Sequence, residues 1–387
     1  MNVAAIGGGM IMQDQILPSL YQLRRLGRVD SIAVCARHAA TLDALAAHAP
    51  IKEAFPGFAF EAHAGEYTDL LQSLPPRQLV VVALPDSLHF AAVMAALAAD
   101  QHVLCVKPLV LRASESIEIE NEARRRGLLV AIEYHKRFDD RSLMARRLYK
   151  QGAFGEFRLG NACLHEKWNY RHSNFQNWFT PEQSDAFTYI GCHYVDLVHF
   201  ITGLRPTSVS VHGIKDKFPN GVEGYLWTDA RVVWENGACL NVQNSLGYPQ
   251  QGPGSNLQGL TMFLTGGGEG AMIRHSDQYR GLEYVDRNGY SEPSPDYFRY
   301  VDRSGSAGLE PVGYGYRSIE QIVAAVQKVE ASSDRIETLR TLDEEGLIAT
   351  PANSRFNELT VEAGRLSLFH SGREALIDYQ TNSVALR

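Results

Sequence analysis

From residue 1 to about 130, short apolar runs at 3–6, 31–35, 79–83, 102–105 and 128–132 alternate with longer stretches that have helical spacing, such as 39–47 and 90–99. Continuous apolar strands separated by helices predict a parallel sheet covered on both faces, the doubly wound α/β plan. Beyond residue 140 the pattern changes. The segments 207–212, 230–234, 239–243 and 260–264 have strand character and follow one another across Gly, Asn or charged turns without intervening helices. That succession predicts a second, α+β domain with a large, mostly antiparallel open sheet. Helical spacing returns at 318–332 and 354–379, in elements expected to pack on that sheet or back on the first domain. The predicted boundary therefore divides a Rossmann-type domain at 1–132 from an α+β domain at 133–387.

Composition narrows the partners. The 387 residues are 45% hydrophobic and 21% charged, as in ordinary globular chains, and the formal net charge is −7. A chain of that balance has no global attraction for nucleic acid or an acidic membrane face, so a small-molecule ligand is expected. No apolar run reaches the ~18 residues that cross a bilayer, and the start has the character of a first strand, so a cytoplasmic location is expected. Five scattered cysteines without a C-x-x-C point to reduced thiols.

The first apolar run leads into Gly7-Gly8-Gly9-Met10-Ile11-Met12. A G-x-G between strand and helix turns the chain tightly and sets backbone N–H groups and a helix N-terminus against a pyrophosphate, although the third glycine of the full pattern is Met12. Gly7, Gly9, Met10 and Ile11 are the predicted cradle. At the end of the second run, Ala36 stands where a ribose-binding acid is usual, with Arg37 beside it. Arg37 can accept a 2′-phosphate, so NADP(H) is favoured over NAD(H); the competing reading has Asp30 or another group serving the ribose.

Further along come Leu84-Pro85-Asp86-Ser87-Leu88-His89, then His102-Val103-Leu104-Cys105-Val106-Lys107-Pro108, then the segment 132–139, and finally Tyr189-Ile190-Gly191-Cys192-His193-Tyr194-Val195-Asp196. In this order the four motifs resemble the Gfo/Idh/MocA family of glucose-fructose oxidoreductase and inositol dehydrogenase, over about residues 1–210. Family Thr, Glu and Asp positions are Leu84, Val106 and Tyr189 here, while the Lys and His are retained. The resemblance implies that Leu84, Pro85, His89, Lys107 and Pro108 contact the cofactor and that Lys107 and His193 are catalytic. It also implies a homo-oligomer, dimer or tetramer.

The chemistry of the residues agrees. Oxidation of a carbinol requires a group that takes the hydroxyl proton, and a lysine at a strand end beside a cationic ring can do so. His135, Trp168, Arg171, Tyr189 and Asp196 are the candidate substrate contacts, because aromatics interleaved with cationic and amide donors suit a polyhydroxylated ring. His165, Glu166, His172, His193 and His199 lack metal-ligand spacing, and no metal is expected. The expected activity is hydride exchange between NAD(P) and a carbohydrate or polyol. The alternatives are a cofactor-retaining glycosidase of the same fold that oxidises its sugar transiently, and a sugar-sensing regulator.

Overall fold

The computed structural model describes residues 1–276, 284–286, 289–291, 297–302 and 308–387. It divides into two compact units. The first unit comprises Met1–Leu109, Glu115–Phe138 and Pro295–Asn353. Six of its strands are β1 (Val3–Ile6), β2 (Ile32–Ala36), β3 (Glu61–Ala64), β4 (Leu79–Val82), β5 (His102–Val106) and β6 (Val130–Glu133). They form one parallel sheet in the order β3-β2-β1-β4-β5-β6. Five were legible as apolar runs. The sixth, β3, has the sequence Glu-Ala-His-Ala on an exposed edge and carries no hydrophobic signal.

Helices α1 (Leu17–Arg25), α2 (Ala39–Ala46), α3 (Ala49–Ala54), α4 (Tyr67–Ser73), α5 (His89–Ala98) and α6 (Ala113–Arg126) connect the strands. A π-helical turn, Met12–Ile16, precedes α1. In the unit's core, the strand residues Val3, Val34, Leu79 and Leu104 are buried with Ile319, Ile322, Val323, Val326 and Val329. The last five recur every three or four positions, which puts them on one helix face.

The second unit comprises Val110–Ser114, Asp139–Ser294 and Ser354–Arg387. After α7 (Asp140–Lys150) it contributes β7 (Phe157–Lys167), α8 (Cys192–Thr202), β8 (Pro206–Lys217), β9 (Glu223–Trp234), β10 (Cys239–Tyr248), β11 (Asn256–Leu264), β12 (Ala271–Ser276), β13 (Tyr284–Asp286) and β14 (Gly289–Ser291). The strands β15 (Arg299–Val301) and β16 (Glu310–Val312) and the helices α9 (Tyr314–Ala331) and α10 (Arg335–Glu345) return to the first unit. Then follow α11 (Pro351–Phe369), β17 (Ala375–Asp378) and β18 (Ser383–Leu386).

The large sheet has eight strands in the order β12-β11-β7-β10-β9-β8-β17-β18. Among these pairings only β7 with β10 is parallel. Along β9 the burial alternates, with Leu226, Ala230, Val232 and Trp234 inside and Asp229 and Arg231 outside, as expected for a sheet covered on one face. The helix expected at 354–379 stops at Phe369, where Ser371 and Gly372 take positive φ values of 58° and 81° and turn the chain into β17.

Candidate active site

The glycine turn is built by close backbone approach. Gly7 has φ +109°, donates its N–H to Cys35 O at 2.9 Å, and a Cβ there would lie 2.1 Å from Ala83 O. Only glycine fits. A Cβ on Gly8 would meet Thr41 Cγ2 at 2.7 Å. Gly9 differs: no heavy atom lies within 4 Å of its ideal Cβ, so its Cα faces open space. Met10 and Ile11 begin the helical chain that follows. An open Cα at the start of a helix, beyond the carboxyl end of a central strand, fits a dinucleotide pyrophosphate.

Ala36 ends β2, and Arg37 follows it. The Arg37 side chain is three-quarters exposed and its Nε lies 3.6 Å from Glu66 Oε1. Asp30 lies at the opposite, amino end of β2, where its carboxylate pairs with the Met1 ammonium. The ribose role weighed for it is therefore geometrically unfavourable.

The loops after β4 and β5 are held together by one ring. His89 is fully buried, with Nδ1 2.8 Å from Pro108 O and Nε2 2.8 Å from Leu84 O. This brings Leu84, Pro85, His89, Lys107 and Pro108 to a common edge. Lys107 is buried directly after β5, and its peptide bond to Pro108 is cis. On the neighbouring strand, Glu133 is the register partner of Val106.

Glu133 is the centre of a buried polar network. Its Oε1 accepts from Gln15 Nε2 at 2.8 Å and from Ser318 Oγ at 2.7 Å, while Oε2 lies 2.9 Å from His135 Nδ1. Gln15 also donates to Gly315 O at 2.9 Å and accepts from Tyr297 OH at 2.6 Å. The His135 ring stacks on Tyr314 at 5.4 Å between centroids and lies against Tyr297 at 5.1 Å. His135 is thus a buried, oriented ring at the carboxyl edge of the sheet. None of the network besides His135 was singled out from sequence; an acid ending an otherwise apolar strand was the available signal, since buried carboxylates need partners.

In the second unit, Trp168 and Arg171 come together. The Arg171 guanidinium lies 3.9 Å from the Trp168 ring centroid, donates to Leu246 O at 2.6 Å and pairs with Asp216 Oδ2 at 2.6 Å. Arg171 is buried, and the Asp216 carboxyl is held below the usual carboxylate range chiefly by this bond. From sequence Arg171 is a candidate substrate contact, whereas its Nε and Nη1 donors serve the protein itself. Tyr189 sits on the π-helical turn Phe187–Gly191, edge-on to Phe175 and Phe179 at 4.9 and 5.9 Å. His193 and Asp196 are buried one turn apart on α8, and Asp196 Oδ1 accepts from Asn357 Nδ2 at 2.8 Å. His165 is paired with Ser245 Oγ at 2.8 Å, and burial holds its pKa below the ordinary histidine value. Among the described residues no three His, Cys, Asp or Glu side chains cluster as metal ligands, and no helix is long and apolar enough to cross a membrane.

With this geometry in place, residues 1–134 match the model of an oxidoreductase family with an NAD-binding Rossmann fold, and residues 142–265 match the C-terminal domain model of the same family. The chain belongs to the Gfo/Idh/MocA family. Among curated relatives, inositol 2-dehydrogenase 1 of Saccharopolyspora erythraea is 33% identical over 134 residues, 34% of this chain and 37% of that one. The NADP(+)-dependent scyllo-inositol 2-dehydrogenase of Bacillus subtilis is 25% identical over 140 residues, 36% of this chain and 38% of its own. These matches span less than half the relatives' length. Among solved structures, GenD2 from gentamicin A biosynthesis, in complex with NAD, superposes with a TM-score of 0.72 at 18% identity, covering 98% of this chain and 96% of its own. Myo-inositol 2-dehydrogenase of Lactobacillus plantarum gives 0.69 at 16% identity, covering 98% and 99%. This likeness extends the family fold across both units.

Proposed function

We propose that this Gfo/Idh/MocA protein is an NADP(H)-preferring dehydrogenase or reductase acting on a carbinol carbon of a sugar, sugar derivative or cyclic polyol. The observation that carries the reading is the open Cα of Gly9 at the same strand edge as the buried Lys107. Gly7, Gly9, Met10 and Ile11 would hold the pyrophosphate, Ala36 and Arg37 the adenosine ribose, and Leu84, Pro85, His89, Lys107 and Pro108 the nicotinamide end. When bound, the cofactor supplies the hydride acceptor or donor. Lys107 takes the proton from the reacting hydroxyl or returns it, and His193 is the second proposed catalytic residue, a proton-handling group or a hydroxyl anchor. His135, Trp168, Arg171, Tyr189 and Asp196 form or support the substrate surface, and the tethering of Arg171 and Asp196 gives those two a supporting role.

The relatives that act on inositols support the polyol class. Purified protein incubated with NADP⁺ or NAD⁺ and a panel of myo-inositol, scyllo-inositol, aldoses and aminosugars should form reduced nucleotide with at least one member, faster with NADP⁺. Nucleotide binding without turnover across the panel, in either direction, would overturn the dehydrogenase reading.

A further inference from the structure

The edge beyond β2 and β3 carries a charged pair for which the fold has little use. Arg37 and Glu66 lie 3.6 Å apart, with side chains 75% and 61% exposed. An ion pair so open to water contributes little to stability. Yet the backbone fixes the position of both residues. Gly65 donates its N–H to Ala36 O at 3.1 Å, Cys35 Sγ reaches Gly65 O at 3.6 Å, and Gly65 takes φ +134°. The chain therefore turns immediately beyond the β2 end and delivers Glu66 beside Arg37. Glu66 is also the N-cap residue of α4, but its side chain makes no cap hydrogen bond there. It is directed to the edge instead.

That edge adjoins the glycine turn, because Gly7 is bonded to Cys35 O and Thr41 sits against Gly8. A dinucleotide whose pyrophosphate rests at Gly9 extends its adenosine ribose past the end of β2, where Ala36 offers no polar group. Among the groups at that edge, Arg37 and Glu66 offer the ribose 2′ position a cation and an anion side by side. A carboxylate accepts a hydrogen bond from a free 2′-hydroxyl and repels a 2′-phosphate, while a guanidinium donates to a 2′-phosphate and attracts it.

Resting on the cofactor reading above, we infer that Glu66, supplied from the β3 end, replaces the missing acid of β2 and forms with Arg37 a two-sided reader of the ribose. NADH is bound through Glu66. NADPH is bound through Arg37, against the opposition of Glu66. The chain accepts both nucleotides, and the balance between these two side chains sets its preference.

The test is fluorescence titration with NADPH and with NADH on the full-length wild type, Glu66→Gln and Arg37→Ala. Glu66→Gln should move the ratio of the two dissociation constants about tenfold or more toward NADPH, the scale of one hydrogen bond to a charged group. Arg37→Ala should weaken NADPH about tenfold and leave NADH within about twofold. Raising the salt should shrink the NADPH effects more than the NADH effects, because exposed charges are screened. An unchanged ratio in Glu66→Gln, with both nucleotides still bound, overturns the role of Glu66 and leaves the cofactor reading intact. Failure of the wild type to bind either nucleotide overturns both.

Discussion

Glu133 and His135, two residues apart, meet through a 2.9 Å hydrogen bond in which the buried carboxylate accepts from Nδ1. The other carboxylate oxygen is occupied by Gln15 and Ser318, so one side chain ties the end of β6 to the π-helical turn behind the glycine cradle and to α9. Removing it leaves several buried donors short of an acceptor. Glu133→Ala should therefore cost about 2–4 kcal/mol of unfolding free energy, measured by urea denaturation. A loss below about 0.5 kcal/mol, the range of ordinary surface substitutions, would show that the network contributes little to stability.

The glycine cradle predicts a contrast between neighbours. Gly7→Ala forces a Cβ against Ala83 O at a positive φ and should lower the melting temperature sharply. Gly9→Ala meets nothing within 4 Å, so the fold should be retained while NADPH and NADH both bind at least about tenfold more weakly. Equal nucleotide affinity in Gly9→Ala and wild type would remove the pyrophosphate from this turn.

Lys107 tests the proposed chemistry. Lys107→Ala should abolish turnover while keeping NADP(H) affinity within about tenfold, because the lost contribution is proton transfer in the transition state. Titration and steady-state rates on the same preparation separate the two effects. Comparable kcat in mutant and wild type would exclude Lys107 as the acid/base group.

His102 gives the fold a pH dependence. It is fully buried, its Nδ1 accepts from Leu129 N–H at 2.9 Å, and its Nε2–H donates to Glu330 Oε1 at 3.0 Å. Burial lowers its pKa from the ordinary 6.5, with the Glu330 hydrogen bond and charge opposing that shift. The unfolded chain thus takes up the proton at a higher pH than the folded one. Stability contributed by neutral His102 is present above 6.5 and is lost as pH falls from there toward the folded pKa. Glu330 and Asp139 are held below their usual range, Glu330 by Arg77 and His102 and Asp139 by His275 and Arg141, each overcoming its own burial; their contributions are lost only at more acid pH. Urea midpoints across the first window should fall for wild type and less steeply for His102→Gln. Parallel slopes would assign the dependence elsewhere.

What the sequence by itself determined is what repeats locally. Five of six strands in the first sheet follow from continuous apolar runs, because a sheet covered on both faces buries every position; the glycine turn follows from its G-x-G, and the helical face of α9 from apolar spacing, because burial on one face imposes a period on a helix. The motifs around Lys107 and His193 were legible for a related reason, since each is a short segment whose residue types are fixed by one turn or one strand end. Tertiary structure decided the rest. The polar strand β3 exists because it completes an edge, and Glu66 becomes a candidate reader only through β3's pairing with β2. Glu133 finds Gln15 at a separation of 118 positions, and Gln15 finds Ser318 at 303. Arg171, which has the character of a surface ligand contact in sequence, is drawn inward by Asp216 and a β10 carbonyl. A buried polar group must be satisfied by whatever the fold brings to it, and no local pattern specifies that partner.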